Sequence, residues 1–66
     1  MRMIQKRAAD LRAGDVVHLA DLIDTVVYVA VPADGASTVE VYVTRNDKLG
    51  WWTAGIDSMQ DVEVPE

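Results

Sequence analysis

Residues 38–45 alternate cleanly: Val39, Val41 and Val43 share one parity, Thr38, Glu40, Tyr42 and Thr44 the other. A period of two predicts a half-buried strand, with the valines turned to a core and the rest to water. Residues 25–31 read T-V-V-Y-V-A-V, rich in β-formers but apolar on both faces. Between the two runs lies P-A-D-G-A-S, in which Gly35 accepts positive φ at no steric cost and Asp34 can bond its own backbone. Pro32 lacks an N–H and belongs at a strand end. Two β-rich runs around a turn cluster predict a hairpin.

Its register follows from loop length, because a slip of one residue exchanges the faces. A tight turn on Asp34 and Gly35 sets Val27, Val29 and Val31 against Thr38, Glu40 and Tyr42. A loop of three or five residues sets them against Val39, Val41 and Val43. The second arrangement is preferred: it gathers six valines, each worth about 1.5–3 kcal/mol when fully covered. It also makes Tyr28 and Tyr42 cross-strand neighbours on the outer face.

The rest of the chain is read from the same alternation. Residues 2–7 suit a short strand, with residues 8–14 as a turn and Leu11 closing the end of the core. The competing reading is a helix with Met3, Ile4, Arg7, Ala8 and Leu11 on one stripe and Gly14 as its stop. Residues 15–20 form a strand with Val17 and Leu19 on one face and Val16, His18 and Ala20 on the other. Residues 21–24 are read as a connection, with Leu22 or Ile23 tucked in. Residues 46–48 make a second turn. Residues 50–56 form a strand with Trp52, Ala54 and Ile56 inward. Residues 57–61 are read as a polar turn with Met59 pointing in, and Val62 and Val64 as a closing strand that Pro65 ends. Five or six short strands in one open sheet would leave long edges, and closure into a small antiparallel barrel removes them.

The run A-x-D-L-x-x-G-D-V-V at residues 8–17, the valine-rich hairpin and the D-V-E-V at residues 61–64 resemble the small SH3-like β-barrel proteins of actinobacterial phages and actinobacteria, mostly of unknown function. The resemblance implies an all-β, five- to six-stranded SH3-like barrel and a phage or prophage origin, and it carries over no site residues. Related hairpins have a tighter, more polar first strand. Residues 25–31 depart from that pattern, which implies an extra covered face such as a subunit contact.

Sixty-six residues make a single domain over residues 1–66. A chain of this size buries only about 60% of its unfolded surface. Without cysteine it has no disulfide or thiolate site to compensate, so self-association is the expected remedy. No apolar run approaches the ~18 residues of a membrane span, and there is no signal-peptide core; a cytoplasmic location is expected. The net charge of −5 is unevenly spread. Residues 1–12 hold four cations against Asp10, while the remainder holds Arg45 and Lys48 against ten acids. The acidic body repels nucleic acid at long range, and the basic segment could act as an arm for phosphate or for an acidic neighbour.

Catalytic chemistry is sparse. His18 is the lone histidine and has no sequence neighbours that would make it a metal ligand or a base. Asp21 with Asp24, and Asp57 with Asp61, read as solvated turn acids without the alternation of a calcium loop. Ser37 and Ser58 lack a nearby base, and Gly35, Gly50 and Gly55 make no phosphate loop. No enzyme, metal or cofactor is expected. The aromatics are the informative remainder. Consecutive strand residues face opposite ways, so with Trp52 inward Trp51 lies outward, on the face class of Tyr28, Tyr42 and His18. The expected contact residues are Trp51, Tyr28, Tyr42, His18 and Arg45. The function expected from them is a non-enzymatic protein-interaction or self-assembling accessory module. The alternatives are a small-ligand binder that sequesters a nucleotide, and nucleic-acid binding through the basic N-terminal segment.

Overall fold

A computed structural model describes residues 2–33 and 35–64 of the chain. Its elements are β1 (Arg2–Arg7), a 3₁₀ turn (Ala8–Asp10), β2 (Val16–Leu19), β3 (Leu22–Ala30), β4 (Thr38–Arg45), β5 (Lys48–Gly55) and β6 (Met59–Val64). The strands form one antiparallel sheet in the order β1-β6-β2-β3-β4-β5. The all-β class and the strand at residues 2–7 are as the alternation predicts.

The sheet is not closed, which corrects the expected barrel. β1 and β5 are its two ends. No ladder joins them; the 3₁₀ turn instead prolongs the β1–β6 pairing, the Ala8 N–H donating to Ser58 O at 2.8 Å and the Ala9 N–H to Ile56 O at 3.3 Å. These bonds lie on the β6 side of β1 and leave the outer edge of β5 without a strand partner among the described residues. They also carry Ala8 and Leu11 into the core, where both are buried.

The core is otherwise a layer of valines on one face of the sheet: Val17, Val26, Val39, Val41, Val43 and Val62, with Leu19, Val29, Trp52, Ala54 and Ile56 packed around them. The six-valine expectation needs one correction. Tyr28 pairs with Tyr42, Val29 with Val41 and Ala30 with Glu40, which is the longer-loop register. The register then shifts between Val26 and Tyr28, so that Val26 faces Val43. Val27 is the extra residue of this bulge and is exposed, as is Val31, while Val26 takes the buried place. A bulge sets two residues against one and resets parity beyond it. In the connecting loop the Ala36 N–H bonds Ala33 O at 3.3 Å, and Gly35 adopts a φ of 87°. Asp34 and Pro65, which the sequence reading placed at the turn and at the chain's last stop, lie outside the described residues.

Two connections are shorter than expected. Residues 22–24 are not a loop but the start of β3, because Ala20 and Asp21 alone reverse the chain between the paired Leu19 and Leu22. Ala20 holds a φ of 53° to do so. Leu22 and Ile23 consequently stand exposed instead of tucked in. Likewise β6 begins at Met59, which pairs with Arg7 at the rim and is exposed. Asn46 and Asp47, with φ of 52° and 65°, make the tight turn between β4 and β5. Positive φ at both central residues is the type I′ geometry whose twist suits a two-residue hairpin.

Candidate interaction surface

Antiparallel register decides which side chains meet on the face away from the core. Tyr28 on β3 lies opposite Tyr42 on β4, and Tyr42 lies opposite Trp51 on β5. Their parity is opposite to that of Val41, Val43 and Trp52, so all three project outward. The ring centroids are 5.9 Å apart for the tyrosine pair and 6.4 Å for Tyr42 and Trp51, with interplanar angles of 36° and 32°. Both separations fall within the range of favourable aromatic pairs. The outer members remain open to solvent, Tyr28 59% and Trp51 61% exposed, and Leu49, two residues along β5 on the same face, is 81% exposed. The result is an apolar row running across three strands to the sheet's end. Glu40 borders it: the Tyr42 hydroxyl donates to Glu40 Oε1 at 3.0 Å. That hydrogen bond, with burial and the nearby negative charge, holds the Tyr42 phenol above its ordinary pKa.

His18 and Arg45 do not join the row. His18 sits on the outer face of β2 opposite Ile23 of β3, five residues and hence about 16 Å of strand from Tyr28. Its Nε2 lies 2.5 Å from Glu63 Oε2. Arg45 has the inward parity of Val41 and Val43. Its Nε and Nη2 donate to Asp24 Oδ1 and Oδ2 at 2.5 and 2.8 Å, and Trp52 Nε1 donates to Asp24 Oδ2 at 3.0 Å. Asp24 is 0% exposed, so the reading of it as a solvated turn acid is corrected. A fully buried carboxylate is tolerated only when paired and hydrogen-bonded. Here a bidentate guanidinium and an indole N–H supply both, and no buried side-chain nitrogen or oxygen among the described residues lacks a partner. The Arg45 hydrogen bonds hold the Asp24 carboxyl below its ordinary pKa against the opposing pull of burial, with Trp52 assisting.

Asp24 was legible in one respect. It extends the parity of Val26 by one step down β3, just as Arg45 extends that of Val39, Val41 and Val43 up β4. Two opposite charges thus continue two apolar faces at the same end of the sheet.

The basic segment is folded in as β1. Lys6 Nζ bonds Asp15 Oδ2 at 2.9 Å, and Arg7 bridges Asp10 and Asp57, each at 3.0 Å. Asp57 is therefore an exposed partner for Arg7, while Asp61 accepts a bond from Gln5 on the sheet surface. A hollow of about 360 Å³ lies at the β4–β5 turn, where Arg45, Lys48, Trp51 and Trp52 surround Val43 and Gly50. No helix among the described residues is long and apolar enough to cross a membrane. No protein-family model matches the chain, and no curated protein matches it closely enough to count as a relative.

Proposed function

We propose that this chain is a non-enzymatic interaction module whose working surface is the outer row of Tyr28, Tyr42 and Trp51, continued by Leu49. The observation that carries this reading is the row's combination of register and exposure. Three aromatics are aligned across adjacent strands, yet the two outer rings are more than half open. Aromatic surface held rigid at low entropy cost and left uncovered is the usual material of a protein contact. The role is that of a cytoplasmic accessory protein, of the kind found among the small SH3-like proteins of actinobacterial phages that residues 8–17 resemble. Its test is native mass spectrometry of the protein as isolated, beside Trp51→Ala. Assemblies in the wild type that vanish in the variant, with melting temperature unchanged, support the reading. Equal association in the two proteins would overturn it.

Small-ligand binding is the second reading, favoured by the hollow at the β4–β5 turn, which Lys48 lines together with Trp51 and Trp52. Arg45 contributes less than its position suggests, since Asp24 already holds it by two hydrogen bonds. A nucleotide that quenches tryptophan emission in the wild type but not in Lys48→Ala would promote this reading above the first. Nucleic-acid binding through the basic segment has less support, because carboxylates engage both Lys6 and Arg7.

A further inference from the structure

The Ile56 N–H bonds Ser37 O at 2.9 Å, one step beyond the pairing of Thr38 with Gly55. In an antiparallel ladder, hydrogen-bonded and non-bonded pairs alternate. Residues 54, 52, 50 and 48 therefore turn their N–H and C=O groups toward β4. Leu49, Trp51 and Thr53 turn theirs off the sheet, while the Gly55 C=O accepts the Ser58 N–H at 3.0 Å in the turn that follows. The turn at Asn46 and Asp47 gives the same phase independently, since a two-residue type I′ hairpin closes on a hydrogen-bonded pair, here Arg45 with Lys48. Among the described residues nothing pairs with that outer edge.

The two ends of the sheet differ in how they meet other chains. β1 carries Arg2, Lys6 and Arg7 along its length, the usual guard against edge-to-edge pairing. β5 reads K-L-G-W-W-T-A-G, with no proline and a single charge at one end. A β5 edge laid on the β1 edge of another copy would gather cations from both. A β5 edge laid antiparallel on itself places no charge opposite another.

We infer that the partner of this surface is a second copy of the chain, joined β5 to β5 about a two-fold axis at Trp51. This deepens the interaction-module reading and rests on it. In this register Trp51 faces the same residue of the partner, Leu49 faces Thr53, Gly50 faces Trp52 and Lys48 faces Ala54. The outward backbone groups form about six hydrogen bonds. On the outer face the row of Tyr28, Tyr42 and Trp51 runs on without a break into its symmetry mate. An isologous contact of this kind closes on itself and stops at the dimer. Its length puts it near or below the lower end of specific interfaces, about 1,200 Å² in total, so the dimer exchanges with monomer in the micromolar range.

The experiment is sedimentation velocity over a concentration series on wild type, Trp51→Lys, Trp51→Glu, an equal mixture of those two variants, and Thr53→Pro. The wild type is expected to dimerise. Each charged variant sets like charges face to face on the axis and is expected to weaken the dimer by at least tenfold, and the mixture is expected to restore it. Thr53→Pro removes an N–H aimed off the sheet, so the dimer is lost while far-UV circular dichroism keeps its strand signal. Should that variant fail to fold, the charge-swap mixture still decides. A mixture that stays monomeric overturns the inference, as does a dimer that survives Thr53→Pro with the fold intact, or growth beyond dimers. A wild type that is monomeric into the millimolar range overturns self-pairing alone. The interaction-module reading would then rest on a different protein that the wild type retains in native mass spectrometry as isolated and Trp51→Ala does not.

Discussion

Removing the guanidinium from Arg45 should expose how much the buried carboxylate depends on it. Arg45→Met keeps most of the apolar stem, so the packing of that stem is largely preserved. What changes is Asp24, 0% exposed, which keeps only the indole N–H of Trp52. Breaking a buried pair and stranding one charge costs about 3–5 kcal/mol. The surviving hydrogen bond puts the expected loss at the lower end, about 3 kcal/mol. A domain of 66 residues has a total stability of about 3–10 kcal/mol at typical values per residue, so the variant is expected to unfold at far lower urea. The pH dependence identifies the cause. In the wild type the Asp24 pKa is lowered, so the stability it contributes is fully present above the ordinary carboxylate range and is lost only as pH falls through the depressed value. In Arg45→Met the largest lowering cause is gone and burial is opposed only by the Trp52 hydrogen bond, so the carboxyl titrates at a higher pH than in the wild type and contributes less stability at neutral pH. The gap between the two proteins should be widest at pH 7 and narrow toward pH 4. Urea titrations followed by tryptophan emission measure both curves. A gap below about 0.5 kcal/mol at pH 7, within the scatter of ordinary surface changes, or one that does not vary with pH, would refute the argument.

Two further substitutions probe the turns and the rim of the aromatic row. Ala20 holds a φ of 53° in a region that favours glycine, so Ala20→Gly should raise stability by up to about 1 kcal/mol; a lower melting temperature would show that the turn is not strained. Glu40→Gln removes the charged acceptor of the Tyr42 hydroxyl, so the Tyr42 phenol should titrate at lower pH. Ultraviolet difference spectra in alkali read this directly, and an unmoved titration would mean that the hydrogen bond does not hold the proton.

Alternation along the chain was a sufficient guide wherever a strand stayed in phase. It placed Val39, Val41 and Val43 inside and Trp51 outside, because each follows from a period of two within one strand; Tyr28 against Tyr42 followed from the choice of the longer loop, which gathers more valines. It failed where phase is reset or where a partner lies far off in sequence. The bulge at Val27 exchanged which valines of β3 are buried, and nothing in T-V-V-Y-V-A-V marks one valine as the extra residue. Asp24 looked like a loop acid because acids near turns usually are; its burial depends on Arg45, 21 residues away, and on the indole of Trp52. Closure failed as an expectation for a similar reason. Unpaired edges argue for a barrel only if the two end strands come side by side, and here β1 and β5 do not pair.

The pairing of β1 with β6 sets a timetable. Arg2 lies against Val64 and Ile4 against Val62, so the first of these six strands to be synthesised is matched to the sixth. The ladder from β2 to β5 is built from neighbours in sequence and can form while translation continues. β1 has no strand partner until β6 has been made. Contacts this distant along the chain slow folding through the cost of closing the loop between them. The same adjacency means that a short linker could join the two strands directly and a new opening be cut at the exposed loop around residue 35. Such a permuted chain would make its slowest contact first and should fold faster than the natural order of the same residues.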